Sequence, residues 1–477
     1  MAQVNNFEKG YRANNTKMRF SPEANIQYTV ESEKDLMDDL DQLTEMLKHH
    51  EEHQRPRLDI LDDYYAGENT AISTPNRRKE KDKADHRARH NFAGYVSDFM
   101  QGFFVGVPIA VEHTEKAAQG KIDEINETLE ADALNADIVL DLSIYGRAYE
   151  LLHRNQEDEV KSYLSSPLET FLIYDNTVEK NIIAGVRYFL VGLGDDQQIK
   201  VQLYTDNKII TYFTSNLGDY TLKFDSETDH SFGEVPINEY ANNRFRKGDF
   251  EKVLDLIDLY DAGQSDTGNY MTDLNDALLA IIGNVELGIE EAKGMKDANI
   301  LLAKPGQNAD GRESNISADY IYKKYDVNGT EAYKDRLQTD IHKFTFTPDL
   351  NDENFAGQQT GEAAKYKLFG LEQIRINKER MMKRALNRRY KLINNIMQVA
   401  SEASAGEFDG LLYQFTPNLP KNIKEQVDIF NSLGGKLSNE TMLGLLPYEI
   451  DVEAEKELIA AERKQNRQTS SYMDVDS

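Results

Sequence analysis

The chain has 477 residues, with 83 Asp and Glu against 55 Lys and Arg, a formal net charge of −28, and no Cys. A chain of this length exceeds one compact core, so we expect two or more substructures, and the missing Cys excludes disulfides, Cys-ligated zinc, iron–sulfur clusters and thiol catalysis. The longest clean apolar stretch, 277–282, is far shorter than the ~20 residues that span a bilayer, and residues 1–10 lack the apolar core of a secretory signal.

The N-terminal part of the chain predicts an arm followed by an amphipathic helix. Residues 1–34 are polar and weakly patterned, which is typical of a partly ordered tail. Ser32 is a suitable N-cap for the next segment, in which leucines recur at spacings of three and four beside an acidic outer face. These leucines are Leu36, Leu40, Leu43 and Leu47.

A second helical pattern follows. Pro56 interrupts the first helix, and the pattern resumes over 58–65 with Gly67 as its C-cap. Residues 75–90 are strongly basic. The segment 92–109 is apolar and punctuated by Gly and Pro, so we expect a helix that ends near Gly102 and then a turn.

The pattern changes between Tyr145 and about Tyr240. Short runs of β-branched and aromatic residues alternate there with polar turns, which predicts an antiparallel meander. Helical spacing returns at Phe250 and again at 270–281, but Gly263 and Gly268 lie between the two stripes and weaken the prediction of one continuous helix.

The C-terminal half is mainly helical. We expect strands at 300–303 and 320–324, then a helix over 333–344. An irregular segment at 347–361 precedes a helical pattern of some 40 residues in which Gly370 is a candidate kink. Acidic helices follow to about residue 467. The fold class predicted for the whole chain is α+β, mainly helical.

Motifs for catalysis are missing. The chain has no phosphate-binding loop, dinucleotide fingerprint, G-x-S-x-G or H-E-x-x-H sequence, so we predict no catalytic residues, cofactor or metal. Two histidine pairs, His49 with His53 and His86 with His90, are each four residues apart and would share a helical face. A metal site would need a third ligand such as Asp85 or Glu52. We favour a solvated face for these histidines.

Basic clusters are more informative because they oppose the overall charge. Between Lys365 and Lys391 there are ten basic residues and only two acidic ones. These basic residues can contact phosphates or neutralise an acidic neighbouring subunit, and the sequence leaves both interpretations open. The candidates are Lys365, Lys367, Arg375 and Lys378. The 75–90 cluster also contains acids, so we favour intersubunit salt bridges there.

A set of motifs in fixed order then gives a family resemblance. They are YYAGEN at 64–69, ADHRARHNF at 84–92, GFFVGVPI at 102–109, EYANN at 239–243, PDL at 348–350 with NFAG at 354–357, and AKYKLFGLE at 364–372. With these motifs the chain resembles, over roughly 35–460, the portal proteins of long-tailed phages that infect Gram-positive bacteria.

The resemblance implies a portal fold with an α/β wing, a helical stem, a small mixed clip, a long kinked helix and a helical crown. The implied divisions are an N-terminal arm and wing at 1–245, stem helices at 246–275 and 326–346, a clip at 276–325, a tunnel loop at 347–361, a long wing helix at 362–410, and wing or crown helices with a tail at 411–477.

The resemblance also implies function and partners. Portals form a ring, here expected to be a dodecamer, at one capsid vertex for double-stranded DNA packaging, retention and ejection. The implied partners are the terminase large subunit, head–tail adaptor proteins, and major capsid and scaffolding proteins, with no membrane. The implied location is the virion, and the host cytoplasm during assembly.

The tunnel loop would meet DNA through polar groups, Asp352, Asn354, Gln358 and Gln359. Such groups on a Gly-bounded loop can touch phosphate weakly and repeatedly, whereas acidic walls keep a duplex from sticking. Without the resemblance, an ordinary helix–helix connector is the simpler interpretation. Two other functions stay open: a metal-dependent nucleic-acid enzyme using His86 and His90, and a helical scaffold or adaptor of the virion without a channel.

Overall fold

The computed structural model describes residues 19–74, 84–194, 197–215, 221–273, 278–282, 317–321, 326–350 and 368–418, together with a few isolated positions such as Arg77. Within these residues the fold is α+β, as the sequence predicts. No helix in the described ranges combines the length and apolarity that a membrane crossing needs.

Helices α1 (Glu33–Asp38), α2 (Leu40–His49) and α3 (Arg55–Tyr65) form the first layer. The Ser32 side chain accepts a hydrogen bond from the backbone N–H of Asp35, which confirms the predicted N-cap. The predicted interruption at Pro56 is wrong, because a π-helical turn, His50–Gln54, joins α2 to α3 without a break. Pro56 is the second residue of α3, so its missing N–H falls where the hydrogen bonding changes from the π-helical to the α-helical pattern. Gly67 has φ +83° just beyond α3, as expected of a C-terminal glycine.

Four further helices precede the main sheets or lie between them. They are α4 (Thr70–Ser73), α5 (Phe92–Val105), α6 (Lys116–Thr128) and α7 (Ala131–Tyr145). Helix α5 passes through Gly102, the predicted end, and stops at Val105. Helices α6 and α7 have no counterpart in the sequence prediction.

The predicted meander is confirmed in part. Strands β5 (Thr170–Asp175), β6 (Ile182–Val191), β7 (Gln198–Tyr204), β8 (Lys208–Thr214) and β9 (Lys223–Asp229) are consecutive and antiparallel, and β1 (Tyr28–Val30) adds in parallel beside β5. A separate sheet has the order β10-β3-β4, from Ile237–Ala241, Arg147–Arg154 and Val160–Ser165. Strands β2 (Ala110–Glu112) and β13 (Leu412–Gln414) pair with each other.

The next elements are α8 (Leu254–Asp273), strands β11 (Leu278–Ile282) and β12 (Ser317–Ile321), and α9 (Val327–Thr345). Helix α8 is continuous through Gly263 and Gly268, the two glycines that weaken the prediction of one continuous helix. The apolar run that was assigned to a second helical stripe is instead β11, paired antiparallel with β12. A short apolar run fits either periodicity, and here β-pairing decides. The predicted strand at 300–303 lies outside the described residues.

Helix α10, Phe369–Val399, is the long helix predicted from 362. Gly370 lies in its first turn, directly against the ring of Phe346, where a Cβ atom would have no room. Residues 362–367 and the predicted acidic helices after 418 lie almost wholly outside the described residues.

Among the apolar cores of the described residues, the three largest hold these elements together. The first joins α7, β3, β10 and α10, and the second packs α1 and α2 on the six-stranded sheet. The third core places the starts of α8 and the end of α9 against α3 and α5; its members include Leu58, Leu61, Val96, Phe250, Ile257, Leu337 and Ile341. This third core fixes the base of the α8–α9 pair.

Candidate functional site

Helices α8 and α9 form an antiparallel pair that leaves the body of the protein together. Near the body, Ile257 of α8 and Ile341 of α9 share the third core. Further out, the Lys334 ammonium of α9 donates to the Gln264 side chain of α8 at 3.2 Å. Gly263 faces the Lys334 stem across this crossing. A Cβ atom at this position would lie 3.8 Å from Lys334 Cγ, an ordinary van der Waals contact, so the crossing has room for alanine.

The segment 84–90 lies along the outer half of α8 and is fixed there by a polar ladder. Backbone N–H groups of His86, Ala88 and His90 donate to Asn269 Oδ1 at 2.7 Å, Ser265 Oγ at 3.0 Å and Asp261 Oδ1 at 3.1 Å. The three acceptors are four residues apart on α8, about 6 Å per step, which matches two residues of extended chain. All three acceptor residues are buried.

The charged residues of α8 are all acidic. Its 20 residues contain five Asp and no Lys or Arg. Cations from other segments meet some of them: Arg19 lies 3.0 Å from Asp255 and 2.6 Å from Asp258, and Arg77 lies 2.7 Å from Asp266. Asp255 and Asp266 are still 84% and 71% exposed, so their ion pairs are at the surface.

The helix pair also exposes large apolar side chains. About half of the surface of each of these residues is open in the single chain: Leu259 and Met271 on α8, and Val327, Tyr333 and Phe344 on α9. Phe346, just after α9, is equally exposed and has φ +59°, a conformation that favours glycine. Apolar groups of this size on neighbouring helices mark a surface that another protein can cover.

Helix α10 differs from α8 because one of its arginines, Arg389, is fully buried. Arg389 and Glu150 of β3 form an ion pair at 2.7 Å, and both side chains are 0% exposed. Arg389 also donates to Asn135 at 2.9 Å, while Glu150 accepts from Ser162 and Tyr240. Burial raises the pKa of Glu150, but Arg389 and the two hydroxyls outweigh it and leave the pKa below its ordinary value.

A second buried cation of α10 is Lys378, which was one of the predicted contact residues. Its ammonium lies 2.6 Å from Asp249, and Asp249 also accepts from Asn242 at 3.0 Å. Burial lowers the pKa of Lys378, and Asp249 opposes that shift. Arg388, the residue directly before Arg389, donates to the carbonyls of Val235 and Ile237 at 2.8 Å each.

The other predicted site residues divide into two groups. Arg375 is described: it lies between Glu372 and Glu379 of its own helix, at 2.7 and 3.1 Å. Its contact with phosphate or another subunit, like that of Lys378, stays a prediction, and these intrachain pairs would have to open or be shared. Outside the described residues lie Lys365 and Lys367 and the predicted channel residues Asp352, Asn354, Gln358 and Gln359.

The two ends of that undescribed loop are anchored. Before it, the Tyr95 hydroxyl donates to the Pro348 carbonyl at 2.7 Å, and Gln338 of α9 donates to Asp349 at 2.9 Å. After it, Leu368 packs with Met100 and Phe103 of α5. The described residues on both sides of 351–367 therefore contact α5.

The histidines have separate environments. His90 Nδ1 lies 2.7 Å from Asp261 and His86 Nε2 lies 2.7 Å from Thr272, so both are engaged by α8. His49 and His53 instead converge with Glu23, which the sequence prediction did not consider. The i, i+4 spacing of Asp261, Ser265 and Asn269 places them on one face of α8, but spacing does not show which segment that face binds. It likewise gives no sign of Glu150 as the partner of Arg389.

Comparison with known proteins gives matches along most of the chain. The model of a family described as phage portal protein, SPP1 Gp6-like, matches residues 44–469. The portal protein of Bacillus phage SPP1 is 23% identical over 401 residues, covering 80% of this chain and 77% of that protein. The portal protein of Clostridium phage phiCD119 is 22% identical over 404 residues, covering 80% of this chain and 86% of that protein.

A solved structure, described as the neck of an empty GTA particle computed with C6 symmetry, has a chain that matches with a TM-score of 0.42 and 12% identity. The match covers 75% of this chain and 90% of that chain.

Proposed function

This chain belongs to the SPP1 Gp6-like family of phage portal proteins, structural components of the virion rather than enzymes, and from that premise we propose that it closes into a ring-shaped channel for double-stranded DNA. The ring stands at one capsid vertex and serves packaging, retention and ejection. The observation that carries the proposal is the continuity of the family match, which runs from within α2 through α10 and beyond.

Ring closure is supported by the surface of the α8–α9 pair. Half-exposed Leu259 and Met271 on one helix and Tyr333 and Phe344 on the other leave apolar area open to water. In a closed ring, each subunit contacts its two neighbours through two different faces. The α8–α9 pair of one subunit would then cover the exposed apolar side chains of the pair in the next subunit. Covering these side chains is favourable by about 25 cal/mol for each Å² of apolar surface removed from water.

Passage of DNA is supported by the charge of the same region. Helix α8 carries acids without Lys or Arg, and the whole chain has a formal net charge of −28. Attraction to DNA grows with each phosphate that a cation neutralises, so a bore with few free cations does not hold a duplex in place. Two cations of α10, Arg389 and Lys378, are buried in ion pairs inside the subunit and are therefore not available to phosphate.

The divisions of the ring follow from this assignment. Segments 246–275 and 326–346 are the stem, 276–325 the clip, and 1–245 the arm and wing; 347–361 is the tunnel loop, 362–410 the long wing helix and 411–477 the wing or crown helices. The subunit number is twelve. The clip first docks the terminase large subunit and then head–tail adaptors, and the capsid and scaffolding proteins contact the outer rim.

The tunnel loop gives the sharpest test. Deleting 353–359 shortens a loop whose two ends are held by Tyr95 and by the α5 contacts of Leu368. We expect rings to assemble and DNA packaging to fall, measured as DNase-protected DNA in particles assembled with the variant. The triple replacement of Asn354, Gln358 and Gln359 by Ala keeps the loop length and tests the polar groups alone. Failure of ring assembly in the deletion variant would make the segment a structural connector.

A further inference from the structure

Three side chains from two segments converge at the edge of the wing. Glu23 belongs to a short 3-10 helix, Pro22–Asn25, ahead of β1. His49 ends α2, and His53 lies one turn later in the π-helical turn. One ligand atom of each, two imidazole nitrogens and a carboxylate oxygen, lie within 4.8 Å of one another.

The two histidines are arranged as neighbours rather than as a stacked pair. Their ring centroids are 4.7 Å apart at an interplanar angle of 47°. His53 Nε2 lies 4.0 Å from Glu23 Oε2, which is too long for a hydrogen bond. A dication between ligand atoms at about 2.0–2.2 Å from each would draw these three atoms together by small side-chain movements.

The surroundings of His49 favour a ligand role. The Tyr28 hydroxyl lies 3.0 Å from His49 Nδ1, so this contact engages one ring nitrogen and fixes the orientation of the imidazole. Tyr28 is itself buried against Phe171 of β5, with ring centroids 4.8 Å apart. A fixed partner on the second nitrogen is the usual way in which proteins orient a metal-binding histidine.

We propose that Glu23, His49 and His53 bind a transition-metal dication of the Zn²⁺ type. Two imidazoles and one carboxylate suit Zn²⁺, whereas Ca²⁺ and Mg²⁺ prefer sites built of oxygen atoms alone. His53 is 39% and Glu23 26% exposed, so the ion has a path from solvent and a fourth position open to water.

The site would fasten the N-terminal segment onto the wing. Glu23 precedes β1, the parallel edge strand beside β5, while both histidines belong to the helical layer that packs on the same sheet. A bound ion therefore joins the edge strand to α2 through a loop of some 30 residues, and it stabilises the folded chain because the unfolded chain does not hold the three ligands together. The π-helical turn that contains His53 is of a kind often found at functional sites. This inference does not depend on the proposed channel.

The test uses the full chain after treatment with a chelator, titrated with Zn²⁺ in a calorimeter and followed by thermal unfolding. We expect one equivalent to bind and the midpoint of unfolding to rise. His53→Gln and Glu23→Gln should each weaken binding by at least about tenfold, and Tyr28→Phe by a similar factor, because outer partners of ligands carry effects of that size. Binding of Co²⁺ gives a visible spectrum that reports the coordination directly.

The matched control is Glu52→Gln, an exposed acid in the same π-helical turn that lies outside the cluster. This variant should bind Zn²⁺ like the parent chain. No stoichiometric binding by the parent chain would overturn the proposal, and so would equal affinity in the parent, His53→Gln and Glu23→Gln chains. Circular dichroism of each variant without metal separates lost binding from lost folding.

Discussion

Helices α8 and α10 carry charges of opposite sign and place them in different surroundings. Helix α8 has five Asp and no cation, and at least two of these acids, Asp255 and Asp266, are mostly exposed. Helix α10 has eight Lys and Arg against two Glu, yet its cations Lys378 and Arg389 are buried in ion pairs with other elements. The charge of a segment therefore does not tell whether it faces a partner or the interior.

The charges of α10 and α8 therefore have different roles, in the interior and at the surface. The cations of α10 connect it to β3, β10 and the turn before α8, so they hold the body together. Among the acids of α8, Asp261 is buried, and Asp258 is engaged by Arg19 and Tyr64. Asp255 and Asp266 are mostly exposed and stay available to set the electrostatic surface of the helix pair. The predictions below test this division, from the largest expected effect to the smallest.

The buried pair of α10 should show the largest effect. Arg389→Met removes the cation beside Glu150 and leaves an uncompensated buried carboxylate, so we expect the free energy of unfolding in denaturant to fall by about 3–5 kcal/mol. The double variant Arg389→Met with Glu150→Gln keeps an acceptor for Tyr240 but removes the charge, and it should be more stable than Arg389→Met alone. A loss below about 1 kcal/mol for the single variant would mean that the pair does not hold the body.

The same pair predicts a dependence on pH. The pKa of folded Glu150 lies below its ordinary value of 4.5, so its contribution to stability is complete above that value. As the pH falls below 4.5 towards the folded pKa, the unfolded chain takes up the proton first and this contribution is lost. The difference in unfolding free energy between the parent chain and Glu150→Gln should therefore shrink at acidic pH. A constant difference from neutral to acidic pH would contradict a charged Glu150.

The polar ladder of α8 should show an intermediate effect. Ser265→Ala leaves the backbone N–H of Ala88 without its acceptor, which should cost about 1–2 kcal/mol. Amide hydrogen exchange at Ala88 should become faster. The control is Thr339→Ala on α9, whose hydroxyl donates to the Asp335 carbonyl of its own helix. Equal exchange at Ala88 in both variants would show that the ladder does not fix the 84–90 segment.

The exposed acids of α8 should show the smallest effect on stability. Asp255→Asn and Asp266→Asn each break a surface ion pair, with Arg19 or Arg77, and we expect changes within about 1 kcal/mol that decrease further at high salt. Denaturant unfolding at low and high salt measures this. A loss above about 2 kcal/mol would place these acids in the same structural role as Glu150.

Periodicity predicted the elements that have one polar face. Helices α3, α9 and α10 and strand β7 each bury one side, so their apolar residues recur with the period of the element. Strand β5 is instead buried on both faces, and β9 is exposed along its length. Helix α7 is buried over most of its length and shows no clear stripe, which explains why it was missed. The run 278–282 is too short for its period to distinguish strand from helix.

The candidate sites were harder to predict, because their partners are distant in sequence. The i, i+4 spacing of His49 and His53 was visible, but Glu23 enters only through the folding of the N-terminal segment onto the sheet. Similarly, the basic density of 365–391 was visible, while the burial of Arg389 and Lys378 depends on β3 and on Asp249. Sequence spacing reports neighbours on one element and is silent about contacts between elements.

A three-dimensional electron-microscopy reconstruction of the purified full chain tests the central claim most directly. The account predicts a closed ring with an opening wide enough for duplex DNA, in which the apolar side chains of the α8–α9 pair, such as Leu259 and Phe344, are covered by the neighbouring copy. Particles without rotational symmetry, or rings in which these side chains face solvent, would contradict it.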